Sequence, residues 1–137
     1  MENKIIVVVK GVIAKNGKAL IVKRSSTEEV DAGSWETVGG KIEFGEVLEE
    51  ALIREVKEEI GIEVNVEKLL YATTFFTDPL RQIVLLTYLC RTTDDQIKLS
   101  DEHSDYKWVT SSELRNYLPH PIANDFKKYS VFETLES

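Results

Sequence analysis

Apolar residues recur along the chain with two different periods, and each period predicts a different kind of element. Residues 4–25 are rich in β-branched side chains and are interrupted at Asn16-Gly17, which predicts two strands joined by a tight hairpin turn. Residues 26–40 are polar and contain glycine, which predicts a loop with a short strand near Trp35. The first third of the chain is therefore predicted to be mainly β-structure.

The period changes after this loop. From Val47 to Ile60 apolar residues return every three or four positions, which predicts a helix that ends at Gly61. The next part of the chain predicts two strands, a charged loop and a short strand, over residues 62–76, 81–90, 92–105 and 106–109.

Two more helices are predicted in the C-terminal part. One covers residues 111–118 and is capped by Ser111 or Ser112, and the other runs over residues 121–135 with Pro121 in its first turn. Neither repeats nor a linker interrupt the pattern. Interleaved strands and helices therefore predict one α/β domain over residues 1–137.

Charge limits the class of partner. The 137 residues include 17 Lys and Arg and 24 Asp and Glu, which gives a formal charge of −7. Duplex nucleic acid and anionic membranes both attract basic surfaces, so this balance argues against either as the main partner. An acidic protein can still act on phosphates when a bound metal supplies positive charge.

The chain has a single cysteine, Cys90, within an apolar run. A lone cysteine excludes an internal disulfide and a thiolate zinc cluster, and its neighbours favour a buried strand thiol. No signal peptide is recognisable, and no stretch approaches the roughly 20 apolar residues of a membrane span. A reducing cytoplasm is the expected compartment.

The first predicted helix carries glutamates on the side that should face the core. Glu55 and Glu59 lie on or beside its apolar stripe, and Glu58 borders it. A buried, unpaired carboxylate costs several kcal/mol, and the one guanidinium nearby, Arg54, does not neutralise the cluster. Either the carboxylates are protonated or a cation lies among them. For glutamates alone, a solvated acidic face remains the alternative.

The surrounding spacing is similar to the Nudix box, Gly-x5-Glu-x7-Arg-Glu-U-x-Glu-Glu-x-Gly-U, where U is aliphatic. Gly40, Glu46 and the run 54–62 match all nine specified positions. Two neighbours differ from residues that are frequent in the family, since Val38 stands in place of proline and Val47 in place of a capping serine or threonine. Neither difference removes a glutamate of the box.

The resemblance implies an α/β/α sandwich with a mixed β-sheet between helices. It also implies Mg²⁺-dependent hydrolysis of a nucleoside diphosphate linked to another group, by water attack on a diphosphate phosphorus, with Mn²⁺ as an alternative ion. Glu55, Glu58 and Glu59 correspond to the metal ligands, and a backbone carbonyl of Gly39 or Gly40 is expected to add another.

Further roles carry over by position. Arg54 is expected to orient the site by pairing with Glu58 or Glu46. Glu55 or Glu58 could serve as the general base, but Glu102 is the candidate from a separate loop, with Asp101 and His103 beside it. A solvated acidic loop is the alternative for this segment.

Of the candidate substrate contacts, Lys41 lies in the loop of the box and the others lie outside the box. Arg24 and Lys41 are candidates for the phosphates, although ordinary surface cations fit equally well. Phe75, with Trp35 and Phe76, could stack on a base, and a place in the hydrophobic core is the equal alternative for each. The segment "LPHPIANDF" resembles the "PPAN" region of MutT-type hydrolases, which makes Asn124 a candidate base contact, with Asp78 as a looser one. A local helix cap is the alternative for Asn124.

Three functions stay open under this resemblance. A MutT-like pyrophosphohydrolase of nucleoside triphosphates or oxidised nucleotides is favoured. An ADP-ribose, dinucleotide or nucleotide-sugar hydrolase is the second enzyme reading, and a non-catalytic regulatory module that binds a nucleotide is the third. The complete box argues against the third. The small-molecule partner is thus a nucleoside di- or triphosphate, and a homodimer, frequent in the family, remains open.

Overall fold

The computed structural model describes residues 2–26 and 32–136, so residues 27–31 of the predicted loop lie outside the described residues. Its strands are β1 (Lys4–Lys15), β2 (Lys18–Arg24), β3 (Trp35–Glu36), β4 (Val38–Lys41), β5 (Asn65–Asp78), β6 (Arg81–Arg91) and β7 (His103–Val109). Its helices are α1 (Leu48–Ile60), α2 (Ser111–Tyr117), α3 (His120–Lys128) and α4 (Val131–Glu136). None of the helices that the structure describes is long and apolar enough to cross a membrane.

The strands form one mixed sheet in the order β3-β2-β1-β6-β5. β1 and β6 run parallel along almost their whole length, and the other pairs are antiparallel. β4 pairs with the free side of β1, and β7 pairs with β2. The predicted mixed sheet is confirmed.

The predicted hairpin turn is also confirmed. Asn16 and Gly17 both have positive φ, 50° and 77°, which is the geometry of a two-residue turn between twisted antiparallel strands. β2 stays on β1 only at the turn, through Ala14 with Ala19 and Lys15 with Lys18, and then continues between β3 and β7. This separation leaves room for β4 beside the middle of β1.

The sheet has a hydrophobic core on each face. Val9 and Ile13 of β1 pack in the core under α1, whereas Val12, on the opposite face, packs with residues of α2, α3 and α4. Alternate residues of a strand point to opposite faces, so β1 supplies both cores. The α/β/α sandwich is confirmed.

Several predicted boundaries were wrong. Thr110, and not Ser111 or Ser112, caps α2, because its hydroxyl accepts from the backbone of Glu113 in a capping box. The single helix predicted over residues 121–135 is two helices, separated where Ser130 has a φ of 58°.

Strand limits also differ. β3 is the short strand predicted near Trp35, but the predicted loop also contains β4, which was not predicted. The charged loop predicted over 92–105 ends earlier because β7 begins at His103. Both differences come from pairing with β2 or β1, which are distant in sequence. Local composition does not report such pairing.

Candidate active site

β4 and α1 meet through two glycines at the end of the predicted loop. Gly39 pairs with Lys10 of β1, and a Cβ atom on Gly39 would collide with the backbone of Val9. A Cβ atom on Gly40 would lie 2.6 Å from the carboxyl group of Glu55. The absence of side chains therefore allows the loop to lie directly against both β1 and the glutamate side of α1.

Arg54 connects Glu46, in the segment between β4 and α1, with the glutamates of α1. Its Nε and Nη2 atoms donate to both carboxylate oxygens of Glu46 at 2.7 and 2.8 Å, and its Nη1 donates to Glu55 and Glu58 at 3.1 Å each. The hydrogen bond from Arg54 is the main cause that lowers the pKa of Glu46 to about 2. The guanidinium thus contacts both expected partners, and also Glu55.

The three carboxylates of the box differ in exposure. The side chain of Glu58 is 59% exposed and that of Glu55 is 15% exposed, whereas Glu59 as a residue is 8% exposed. Burial raises the pKa of Glu55, against the opposing charge of Arg54. The three glutamates of α1 therefore differ in burial: Glu58 faces solvent, Glu55 is largely buried and Glu59 is the most buried.

Glu59 is the most perturbed of the three. Burial raises its pKa to about 8, and the nearby carboxylates of Glu102 and Glu55 add to this effect while Lys10 opposes it. Its Oε2 atom is buried and has no hydrogen-bond partner in the part of the chain that the structure describes. A divalent cation would supply the missing partner, so these residues fit a metal site rich in oxygen ligands.

The loop before β7 brings two further residues to Glu59. A carboxylate oxygen of Glu59, one of Glu102 and a ring nitrogen of His103 all lie within 4.8 Å of one another. Glu102 is exposed, whereas His103 is 5% exposed. The candidate base Glu102 and its neighbour His103 thus stand beside the box, although they are distant from it in sequence; Asp101 does not belong to this group.

The sequence analysis did not single out Glu36. Its carboxylate lies within ion-pair or hydrogen-bond distance of three side chains. Lys10 Nζ lies 3.4 Å from it, Arg24 Nη1 3.2 Å and His103 Nε2 2.9 Å. Burial tends to raise the pKa of Glu36, but the hydrogen bond with His103 and the charges of Lys10 and Arg24 outweigh it and lower the pKa to about 2. Glu36 is therefore a fixed negative charge behind the site.

Lys10 was also missed, although its sequence context carried a signal. It is the one charged residue in the apolar run 5–14. Its amino group also donates to the carbonyl of Thr37 at 3.2 Å. A single lysine inside a buried strand is costly unless it is paired, so its presence indicates a specific role.

A cavity of about 990 Å³ opens between the sheet and α3, on the wall that carries Lys10 and Glu36. Of the candidate substrate contacts, Phe75, Asn124 and Trp35 line it. Phe76 is exposed and does not line it. Arg24, Lys41 and Asp78 are also outside the lining: Arg24 binds Glu36, Lys41 is exposed, and Asp78 accepts from the backbone of Leu80 at 2.8 Å in the β5–β6 turn.

Tyr71, Phe126 and Thr87 line this cavity and give it aromatic and hydroxyl groups. Tyr71 stacks on Tyr129 with ring centroids 4.9 Å apart and meets Phe126 edge-on at 6.1 Å. Burial raises the pKa of Tyr71, although a hydrogen bond with Thr87 opposes this. The cavity therefore offers an apolar surface with a few polar groups, the usual composition of a small-molecule site.

Comparisons with known proteins agree on one family. The profile described as the NUDIX domain matches residues 3–132. Nucleoside triphosphatase NudI of Escherichia coli O17:K52:H18 is 31% identical over 117 residues, which cover 77% of this chain and 82% of that protein.

Solved structures are similar over most of the chain. The MutT protein from Methanosarcina mazei Go1 superposes with a TM-score of 0.83 at 28% identity and covers 95% of this chain and 96% of its own. The E. coli ORF135 protein has a TM-score of 0.76 at 29% identity, over 98% and 93% of the two chains.

Proposed function

Because this chain belongs to the NUDIX family and is a hydrolase of diphosphate bonds, we propose that it cleaves a nucleoside triphosphate with the help of Mg²⁺ or Mn²⁺. The observation that carries the proposal is the buried Oε2 atom of Glu59, which has no hydrogen-bond partner among the described residues. A carboxylate oxygen of Glu59 lies within 4.8 Å of one from Glu102, and the charge of Glu55 also acts on Glu59. The name of the E. coli relative supports the triphosphate as substrate class.

In this proposal Glu55, Glu58 and Glu59 would hold the ion, together with a backbone carbonyl of Gly39 or Gly40. When bound, the ion would supply positive charge for the phosphate oxygens and make water easier to deprotonate. Arg54 keeps two of the three carboxylates in place, because it hydrogen-bonds Glu55 and Glu58 while Glu46 anchors its other edge.

Glu102 is the proposed general base. Its carboxylate lies next to Glu59 yet is exposed, so one of its two oxygens can accept a proton from the attacking water and release it to solvent while the other faces a bound ion. Glu59 is too buried for that exchange and suits the role of ligand.

Lys10 is the proposed phosphate contact. It lines the cavity, and its charge acts on Glu59, so it lies between the box and the space where the rest of the substrate would sit. Arg24 and Lys41 are less suitable on geometry, since neither of them lines the cavity and Lys41 is exposed. The ammonium group of Lys10 would neutralise a phosphate oxygen that the metal does not reach.

The nucleoside would occupy the cavity between the sheet and α3. Phe75 and Trp35 provide aromatic surface, and Asn124 provides an amide that can both donate and accept hydrogen bonds to a base. For the compartment we propose a reducing cytoplasm, because the single cysteine, Cys90, is buried and forms no disulfide.

A panel of nucleoside triphosphates, oxidised nucleotides, ADP-ribose and nucleotide sugars tests the proposal. Hydrolysis of triphosphates should need Mg²⁺ or Mn²⁺, stop in excess chelator, and place ¹⁸O from labelled water in a phosphate product. The ratio of phosphate to pyrophosphate released identifies the attacked phosphorus. Turnover of ADP-ribose in preference to every triphosphate, or full activity in chelator, would contradict the proposal.

Two lysines of β1 provide a matched pair of variants. Lys10→Gln should raise KM for the triphosphate by about tenfold or more, because a phosphate contact is lost. Lys15→Gln should leave KM unchanged, since Lys15 pairs with Asp95 at 3.4 Å and does not line the cavity. Equal effects of the two substitutions would exclude a specific role for Lys10.

A further inference from the structure

We propose that His103 supplies a nitrogen ligand to a divalent cation bound between Glu59 and Glu102, and so favours Mn²⁺ or Co²⁺ over Mg²⁺ at this position. The inference rests on the proposed metal dependence but goes beyond it, because the residues of the box offer only oxygen ligands. The evidence is the burial of the imidazole, its hydrogen bonding and its distance from the two carboxylates.

The imidazole of His103 is buried, and only one of its two nitrogens has a hydrogen-bond partner among the described residues. Its side chain is 1% exposed, and Nε2 lies 2.9 Å from a carboxylate oxygen of Glu36. Nδ1 is also buried and has no hydrogen-bond partner in residues 2–26 and 32–136. Buried polar atoms are nearly always paired, so an unpaired ring nitrogen calls for a ligand.

The partner of Nε2 determines the tautomer. Glu36 lies within 3.4 Å of Lys10 Nζ and 3.2 Å of Arg24 Nη1, so it is ionised and can only accept hydrogen bonds. Nε2 must therefore carry the proton that it donates to Glu36. A proton on Nδ1 would be a buried donor without an acceptor among the described residues, whereas a lone pair on Nδ1 can coordinate an ion.

This arrangement is the one that metal-binding histidines usually adopt. A ligating histidine donates its other ring N–H to a carboxylate, which fixes the ring orientation and makes the ligating nitrogen more basic. Here Glu36 is the carboxylate that accepts the hydrogen bond from Nε2 of His103, and Lys10 and Arg24 form ion pairs with Glu36. Since Nε2 is committed to Glu36, Nδ1 is the nitrogen that is left to coordinate.

The distances suit a single ion. One ring nitrogen of His103 and one carboxylate oxygen each from Glu59 and Glu102 lie within 4.8 Å of one another. Metal–ligand bonds of about 2.0–2.2 Å place two ligands of the same ion up to about 4.4 Å apart, so a small contraction closes the site. The two buried side-chain atoms without a partner, among the described residues, are Glu59 Oε2 and His103 Nδ1, and both residues belong to this one cluster.

A nitrogen ligand changes which ion binds best. Mg²⁺ prefers oxygen and keeps its waters, whereas imidazole suits transition-metal ions, whose affinities for such ligands rise from Mn²⁺ to Co²⁺. The site should therefore bind Mn²⁺ and Co²⁺ more tightly than Mg²⁺, and the difference should depend on His103.

The chain has two histidines, which makes a spectroscopic test decisive. Pulsed EPR of tag-free protein loaded with Mn²⁺ should show the nitrogen coupling of a coordinated imidazole. The coupling should vanish in His103→Gln, whose amide can still donate to Glu36 but lacks Nδ1. It should persist in His120→Gln, which removes the exposed histidine at the start of α3.

Metal affinities measured by calorimetry complete the test. His103→Gln should weaken Mn²⁺ and Co²⁺ binding by about tenfold or more and change Mg²⁺ binding much less, and His120→Gln should change neither. Mn²⁺ bound to the wild-type protein without imidazole coupling, or coupling retained in His103→Gln, would overturn this inference while leaving the metal-dependent hydrolase intact. Failure of the wild-type protein to bind Mn²⁺ or Mg²⁺ at all would overturn both proposals.

Discussion

Replacing Glu59 by glutamine should stabilise the metal-free protein at alkaline pH. Glu59 is 8% exposed, and burial, reinforced by Glu102 and Glu55 and opposed by Lys10, raises its pKa from 4.5 to about 8. The folded protein therefore holds this proton more tightly than the unfolded chain does. The contribution of Glu59 to the free energy of unfolding is largest below pH 4.5 and is lost progressively as the pH rises to about 8.

The size of the effect follows from the two pKa values. The difference of 3.5 between 4.5 and about 8 corresponds to about 5 kcal/mol when the carboxyl group is fully ionised. Entry of water and local relaxation reduce the cost of a buried charge, so the expected gain for Glu59→Gln is about 2 kcal/mol or more at about pH 8.5. Glutamine has nearly the same shape and carries no charge, so the gain should shrink toward zero near pH 4.5.

Denaturation in excess chelator at several pH values measures this gain. Glu58→Gln is the matched control, because Glu58 is the neighbouring glutamate of the box but its side chain is 59% exposed, and loss of its contact with Arg54 should cost less than about 1 kcal/mol. Added Mg²⁺ or Mn²⁺ should then stabilise the wild-type protein more than Glu59→Gln, since ligand binding stabilises only a fold that holds the ligand. A variant no more stable than wild type at alkaline pH in chelator, or a gain that does not change with pH, would refute the assignment of Glu59 as a desolvated carboxylate.

Three further outcomes are expected. Gly40→Ala should reduce turnover about a hundredfold with the fold retained, because the new Cβ atom would lie 2.6 Å from the carboxyl group of Glu55 and displace it; unchanged kinetics would contradict the close approach. The pKa of Glu36 is lowered from 4.5 to about 2, so its contribution to stability is complete above pH 4.5 and disappears as the pH falls toward 2. In denaturation experiments Glu36→Gln should therefore lower the free energy of unfolding by about 2 kcal/mol at neutral pH and by little near pH 2. An equal loss at both pH values would rule out the ionised state of Glu36. Burial raises the pKa of Cys90 to about 12, so a thiol-specific disulfide reagent should react only after denaturant is added, and rapid labelling of the native protein would disprove its burial.

The first helix and its glutamates were predictable because the relevant contacts are local. Residues three or four positions apart on a helix share a face, so the position of Glu59 beside the apolar stripe followed from spacing alone. Gly61, with a φ of 76°, ends α1 as predicted, and Asn16-Gly17 forms the expected turn. The Nudix family also followed from this segment, because all of its specified positions lie in one continuous stretch.

Elements whose limits depend on distant partners were less predictable. The apolar pattern continues past Ser130, so the periodicity did not indicate the separation of α3 from α4. Thr110 was one of three adjacent hydroxyl residues that could cap α2. The strand β4, which was not predicted, exists because it pairs with β1. Strand propensity is weak without such a neighbour.

The amino-acid sequence by itself determined the family, the mixed α/β architecture and the carboxylates of α1, since these depend on spacings within a few turns of chain. Only the tertiary structure decided that Glu102 and His103 stand beside Glu59, that Glu36 gathers three partners, and that the cavity opens next to Lys10. The physical reason is that bringing buried charges together is unfavourable locally. The packing of the whole sheet must hold them there, and no short segment contains that information.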